Sequence, residues 1–247
     1  MLFGEKILDY WDDILKDLAT VVAIPSVAKP QEGEHPFGDQ CARALDTVVA
    51  MAEGYGLKAK NVGYHAAHAE YGEGEGNAVV MAHLDVVPAG EGWDTDPYTC
   101  VEKDGMLYGR GVSDDKGPLV CALLAMKAVR DLGLPLSANV RCILGTDEES
   151  GSADIAYYYA REPYAPMAFT PDADFPLIPP SDHPDFGAQW ESSDAKPRVA
   201  ALTGGFRTNV VPPEAEAMVL GLYAHDVEPV CDRVAARTGA VFTVSSS

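Results

Sequence analysis

An apolar run that ends in two ligand-type side chains is the feature that most constrains how this chain can fold. Residues 79–82 are apolar without interruption, which is typical of a strand buried on both faces of a parallel sheet. His83 and Asp85 follow the run, and positions i and i+2 of an extended chain face the same side. The sequence therefore predicts a strand end at which His83 can bind a metal ion through one ring nitrogen while Asp85 orients the ring.

A pair of adjacent carboxylates lies further along the chain, in the segment GRGVSDDKGP. Asp114 and Asp115 share a glycine-flanked turn there, and Pro118 opens a long apolar helix, where a first-turn proline is tolerated. Neighbouring carboxylates raise each other's pKa unless a positive charge lies beside them. Lys116 and a bound divalent cation are two candidates for that charge, and a solvated acidic turn is the plain alternative.

Two further apolar runs also end in acidic residues. The segments 140–144 and 167–170 are followed by GTDEESGS and PDADFP, respectively. Helices predicted at 119–132 and 155–160 alternate with these strands. This order indicates an α/β sheet whose polar residues gather at one edge.

Each acidic motif also has a plain structural interpretation. Glu148 and Glu149 could be charges favoured by the dipole of the following helix, and Ser152 or Asp154 could cap that helix. Asp172 could belong to a turn around the neighbouring prolines. Three acidic sites at successive strand ends, together with the H-x-D motif, nevertheless favour a metal site over coincidence.

Read together, these motifs resemble the dinuclear zinc peptidase family of aminoacylases, desuccinylases and dipeptidases. The phrase HLDVVPAGEGW…DPY…DGMLYGRGVSDDKGP is most similar to the PepV-type (Xaa-His or carnosine-type) bacterial dipeptidases, and the similarity extends from the first helix to about residue 221. The resemblance implies an α/β fold with a mixed, largely parallel sheet flanked by helices. It places the N-terminal part of the catalytic domain at 1–195 and the start of an inserted α+β lid domain at 196–247.

The resemblance also implies a set of metal ligands. His83 and Asp172 would bind one ion, Asp114 would bridge two ions, and Glu149 would bind the second. Asp85 would assist catalysis by orienting His83. The ions would be Zn²⁺, two for a complete site, with Mn²⁺ or Co²⁺ as alternatives.

The implied chemistry is the hydrolysis of dipeptides or short peptides by a water molecule that two zinc ions activate. Glu148 would be the general base and would bind no metal itself. Asn209, in the segment TNVVP, is similar to a residue that helps the lid to hold the substrate, although a simple β-turn is the alternative there. Two alternatives stay open. The protein could remove the acyl group from N-acyl amino acids, or the chain could be an inactive metal-binding fragment that lacks the C-terminal half.

The chain departs from the family in two places. The family completes its second metal site with a histidine near the C-terminus of the full catalytic domain, and it uses a lid histidine in an HAxxPxxGxNA-like motif. His183 and His225 lie in neither context. We therefore expect the chain to correspond to the N-terminal half of such an enzyme, to have little activity alone, and to expose apolar surface that favours a homodimer or aggregation.

Composition limits the partners and the compartment. A formal net charge of −20 argues against nucleic acid and anionic membranes, which attract basic proteins. No apolar stretch reaches the ~18 residues of a membrane span, and the N-terminus lacks the order of a signal peptide. The five scattered cysteines form no CxxC pair, which indicates reduced thiols and a cytoplasmic location.

The remaining N-terminal elements receive no chemical role. Amphipathic helices are predicted at 5–22 and 39–55. His35 is interpreted as a loop residue. His65 and His68, in a strand-and-turn region that follows, are interpreted as surface positions because no carboxylate motif surrounds them.

Overall fold

The computed structural model describes residues 3–73, 77–172, 197–204 and 215–245. It divides into two compact units, Met1–Ile178 and Pro179–Ser247, and each is described by itself. The helices of the first unit are α1 (Trp11–Val22), which a 3₁₀ helix (Phe3–Tyr10) precedes, α2 (Asp39–Gly54), α3 (Lys116–Asp131) and α4 (Ala153–Tyr159). Its strands are β1 (Lys58–Val62), β2 (Ala66–Tyr71), β3 (Asn77–His83), β4 (Val101–Lys103), β5 (Met106–Tyr108), β6 (Asn139–Gly145) and β7 (Met167–Phe169).

Five strands form one mixed sheet in the order β1-β2-β6-β3-β7. The pairings of β3 with β6 and of β3 with β7 are parallel, whereas β1–β2 and β2–β6 are antiparallel. β4 and β5 make a separate hairpin. The predicted α/β fold, a mixed and largely parallel sheet flanked by helices, is confirmed.

The two faces of the sheet bury different sets of apolar side chains. Cys142 and Leu144 of β6 pack with α1, α2 and α3 in the larger core cluster, while Ile143 faces a smaller cluster that includes Tyr158 of α4. This alternation follows from the two-residue period of a strand. Helices therefore cover both faces, and this is why the central strands contain continuous apolar runs.

The ends of the helices follow from local chemistry. Pro118 is the third residue of α3, within the first turn, where its missing N–H costs no helical hydrogen bond. Gly133, just beyond this helix, has φ +60°, a conformation that glycine adopts without strain. Ser152 stands at the N-cap of α4 but makes no side-chain cap bond, so the capping prediction is wrong for this residue.

His68 is buried, and its interpretation as a surface residue is wrong. Only 4% of the residue is exposed, because β2 lies between β1 and β6 instead of at the sheet edge. The His68 Nδ1 lies 2.8 Å from the Tyr158 hydroxyl, which also accepts a hydrogen bond from Arg141 at 3.2 Å. His65 is partly exposed and stacks on Tyr157.

We expect His68 to make the stability of the first unit sensitive to acid. Burial lowers the pKa of His68 from its ordinary value of 6.5. Below that pH the unfolded chain therefore binds a proton at His68 more readily than the folded chain does, and this favours unfolding. At pH 7.5, His68→Gln should lower the free energy of unfolding by about 1–3 kcal/mol, because it removes a buried hydrogen bond. The difference in the free energy of unfolding between the two proteins should narrow as the pH falls below 6.5, by at most ~1.4 kcal/mol per pH unit, because only the unmodified protein carries His68. Urea titrations of both proteins at pH 7.5 and 5.5 measure this, and a gap that widens in acid contradicts it.

The second unit contains an antiparallel pair, β8 (Arg198–Gly204) and β9 (Ala215–Leu220), followed by α5 (Ala224–Thr238). Gly239, with φ +74°, ends this helix. The predicted domain boundary at residues 195 and 196 stays a prediction. In the parts of the chain described, no helix has both the length and the apolar character that crossing a bilayer requires.

Candidate metal and catalytic site

The site forms where the parallel strands β3 and β6 end side by side. Their last residues, His83 and Gly145, are paired in the sheet, and the Leu84 N–H donates to the Gly145 carbonyl at 2.9 Å. The loops that leave the two strands therefore start next to each other. The H-x-D and DEES motifs are brought together because they lie at the ends of these two paired strands.

Three predicted ligands converge at this edge. One ligand atom from each of His83, Asp114 and Asp172 can be chosen so that all lie within 4.8 Å of one another. The His83 Nε2 is 3.0 Å from the Asp114 carboxylate and 3.6 Å from that of Asp172. The Glu148 carboxylate approaches the same nitrogen at 3.9 Å. We call these four side chains the carboxylate cluster.

Asp85 fixes the ring of His83, and Asp115 fixes its main chain. Its Nδ1–H donates to the Asp85 carbonyl at 2.9 Å and lies 3.3 Å from the carboxylate of the same residue. Its main-chain N–H donates to Asp115 at 3.1 Å. Because Nδ1 is used in this way, Nε2 is left facing the other members of the carboxylate cluster.

A positive charge is needed between this nitrogen and the carboxylates. The lone pair of a neutral Nε2 at 3.0 Å from a carboxylate oxygen is repelled unless a proton or a cation lies between them. Burial alone would lower the pKa of His83, but the hydrogen bonds to Asp114 and Asp85 raise it to about 11. A proton and a divalent ion satisfy the same demand, and mixed imidazole and carboxylate oxygen donors are a normal zinc set. The residues present therefore fit a metal ion.

Asp114 and Asp115 have opposite environments although they are adjacent. The Asp114 side chain is 62% exposed within the cluster, and its hydrogen bond with His83 lowers its pKa. Asp115 is fully buried, which raises its pKa to about 7. One of its oxygens accepts the His83 N–H, and the other has no hydrogen-bond partner among the described residues. The peptide bond between them is cis.

Lys116 does not compensate the charge of these carboxylates. It is fully buried, and its ammonium donates to the carbonyls of Val21 at 3.1 Å and Ile24 at 2.7 Å. These carbonyls lie at and just beyond the C-terminus of α1, where helix carbonyls lack internal partners. Of the two charges that the sequence offered for the acidic pair, a bound cation is thus the one that the contacts favour.

The Asp85 carboxylate has a second task that sequence reasoning missed. Its two oxygens accept the main-chain N–H groups of Glu148 at 3.2 Å and Glu149 at 3.0 Å. Both glutamates belong to a single 3₁₀ turn, Glu148–Ser150. A residue predicted to orient one motif therefore also fixes the backbone of the other.

The two glutamates differ in their relation to the cluster. The Glu148 side chain is half exposed and reaches His83. Glu149 supplies none of the three ligand atoms that lie within 4.8 Å of one another. Its pKa is nevertheless raised, first by burial and then by the negative charge of Asp114. Burial is also the main cause that raises the pKa of Glu148.

Asn209, which was predicted to help hold the substrate, lies outside the described residues.

The sheet is covered by helices on both faces and carries, at its strand ends, a histidine–carboxylate cluster that could hold a metal ion. Residues 79–207, about half of the chain, match the sequence model of peptidase family M20/M25/M40. The chain belongs to this family. The resemblance inferred from the motifs is confirmed at this level.

Curated relatives and solved structures agree with this assignment. A Bacillus subtilis protein, named "Putative dipeptidase YtjP", is 36% identical over 217 residues, which are 85% of this chain and 47% of the relative. A Staphylococcus saprophyticus protein that carries a dipeptidase name of the same kind is 34% identical over 88% of this chain and 48% of its own length. The chain thus spans about half the length of the curated relatives it matches.

Solved structures give the same fold. Human carnosine dipeptidase 1 is similar with a TM-score of 0.56 and 29% identity, over 64% of this chain and 36% of that protein. A dipeptidase of Saccharomyces cerevisiae is similar in fold with a TM-score of 0.54 and 22% identity, over the same shares.

Proposed function

We propose that this chain supplies metal ligands and the general base of a dipeptidase that hydrolyses short peptides with a free N-terminus. The observation that carries the proposal is the position of the His83 Nε2, held by Asp85 and facing the carboxylates of Asp114 and Asp172. The names of the relatives support the substrate class. Five free thiols in the structure are compatible with a reducing compartment such as the cytoplasm.

The residues divide into metal ligands and a proton carrier. We infer that His83 and Asp172 would hold one ion, that Asp114 would be shared by two ions, and that Glu149 would hold the second. Zinc suits this donor set, with Mn²⁺ or Co²⁺ as alternatives. When bound, such ions supply a water molecule of lowered pKa and polarise the scissile carbonyl.

Glu148 is suited to carry the proton in both directions. Its carboxylate reaches the cluster while its main chain is anchored on Asp85. The pKa of Glu148 is raised and is therefore closer to neutral pH. A group whose pKa lies near the working pH can both accept and donate a proton. In the proposed sequence Glu148 takes a proton from the attacking water and then delivers it to the amine that leaves.

A substrate panel combined with metal removal tests this function. In the protein at its natural length, dipeptides should be cleaved at least about tenfold better, in kcat/KM, than tetrapeptides or N-acetyl amino acids, because a lid over the site would exclude long chains. Dialysis against a chelator should abolish the activity, and added Zn²⁺ should restore it. Preference for N-acetyl amino acids would assign the deacylase function instead, and full activity without metal would contradict the proposal altogether.

A further inference from the structure

Every main-chain N–H from Thr146 to Ala153 donates a hydrogen bond, and carboxylates accept five of these eight bonds. Asp154 accepts the first two, from Thr146 at 2.7 Å and from Asp147 at 3.2 Å. Asp85 accepts the next two. The Asp147 carbonyl accepts the three that follow, from residues 150–152, and the Asp147 carboxylate accepts that of Ala153 at 2.9 Å. The loop between β6 and α4 is therefore fixed at each residue.

Asp154 holds the start of this loop from a fully buried position. It is 0% exposed, and a buried carboxylate is costly unless hydrogen bonds compensate it. Its Oδ2 accepts the two loop N–H groups, and its Oδ1 accepts the N–H of Ile155 at 2.7 Å. The close approach needs a glycine in β6, because a Cβ at Gly145 would lie 2.6 Å from Oδ2.

The loop and the helix hold each other in opposite directions. Asp154, near the start of α4, accepts the N–H groups of the two residues that follow β6, whereas Asp147, one of those two residues, accepts the N–H of the first residue of α4. Asp147 also accepts the Ser150 hydroxyl at 2.6 Å. Charge-assisted bonds of this kind are about twice as strong as neutral ones, and here they enclose the 3₁₀ turn that carries the two glutamates.

We propose that Asp154 is a positioning residue for Glu148 and Glu149, which it reaches only through the main chain. It fixes the N–H groups of Thr146 and Asp147, and thereby the direction in which the 3₁₀ turn leaves the strand. Displacement of a reacting group by about 1 Å can cost about 10²-fold in rate, so the loop needs such a support. The catalytic part of this inference rests on the proposed function, whereas the part that concerns the backbone stands by itself.

The helix offers a matched control for loss of stability. Tyr158 is also fully buried in α4, and its hydroxyl bonds to His68 and Arg141 on the far side of the sheet from α3. Tyr158→Phe therefore loosens the same helix but leaves the acceptors of residues 146–153 in place. Asp154→Ala removes the oxygen that accepts two of those N–H groups, from residues 146 and 147. Asp154→Asn retains one neutral acceptor oxygen in a side chain of the same shape.

Hydrogen exchange on the metal-free chain is the first measurement. Relative to Tyr158→Phe, Asp154→Ala should accelerate exchange of the N–H groups of 146–149 by at least about tenfold, because two of them lose their acceptor and the turn loosens. Asp154→Asn should give a smaller increase in the exchange rate, and this variant can replace Asp154→Ala in the comparison if the alanine variant does not fold. Equal acceleration in Asp154→Asn and Tyr158→Phe overturns the proposed control of the loop.

Kinetics and metal affinity of the natural-length protein are the second measurement. At saturating Zn²⁺, the Asp154 variants should lower kcat by about 10–100-fold, the range for residues that support a metal site, with KM changed less than about threefold. Tyr158→Phe should retain kcat at temperatures where it is folded. If Asp154→Asn retains kcat as Tyr158→Phe does, the residue is only structural and the inference fails. If the unmodified protein cleaves no peptide, the proposed function fails, while the exchange experiment still decides the backbone part.

Discussion

Glu148→Gln should lower peptide hydrolysis by the natural-length protein by at least about 10²-fold while leaving its metal content unchanged. Proton transfer by a positioned group contributes about 10²–10⁴-fold to a rate, and glutamine has the shape of glutamate without its basicity. The main-chain N–H on Asp85 is retained in the variant, so the turn should keep its geometry. Steady-state assays together with elemental analysis of the purified variant give both numbers.

Glu149→Gln is the matched control, because it removes one carboxylate from the adjacent residue, whose main chain is held by the same Asp85. It should lose metal in addition to activity, since an amide is a weaker ligand than a carboxylate. If Glu148→Gln retains hydrolysis, or if both variants lose metal to the same extent, the division of roles between the two glutamates is wrong.

The parts of the fold that depend on residues close together in the sequence could be predicted from the sequence. The apolar runs at β3 and β6, the proline in the first turn of α3 and the glycine beyond it all act within one element, so their local pattern determines their structure. The carboxylates of the site were predicted from motifs at strand ends. The hairpin of β4 and β5 was missed, although Asp104 and Gly105, both with positive φ, are a recognised hairpin signal.

Contacts between distant residues could not be predicted in this way. His68 meets Tyr158 across 90 residues of sequence, Lys116 meets Ile24 across 92, and Asp85 meets Glu149 across 64. In each case the side chain alone fits two environments, solvent or a specific buried partner, and only the packing of the strands and helices selects between them. The supporting role of Asp85 was therefore half predicted, for His83, and the role of Asp154 was predicted only as a helix cap.

Asp114→Ala should weaken Zn²⁺ binding by at least about 100-fold. Loss of a group that merely supports a metal ligand costs about 10–100-fold in affinity, and Asp114 is placed to be a ligand, 3.0 Å from the His83 Nε2. Its side chain is largely exposed, so the substitution leaves no cavity in the core. Competition with a chromogenic chelator measures the affinity, and a thermal melt of the metal-free variant checks that the fold is retained.

Asp12→Ala is the control that separates a specific site from the acidity of the whole molecule. A protein with a net charge of −20 attracts divalent cations wherever carboxylates are exposed. Asp12 is an exposed aspartate of α1, and its removal changes the net charge by the same amount as the removal of Asp114. Because general attraction depends on total charge while a ligand depends on position, Asp12→Ala should leave the Zn²⁺ affinity within about twofold. Equal weakening by both substitutions would mean that the carboxylate cluster attracts cations without forming a site for them.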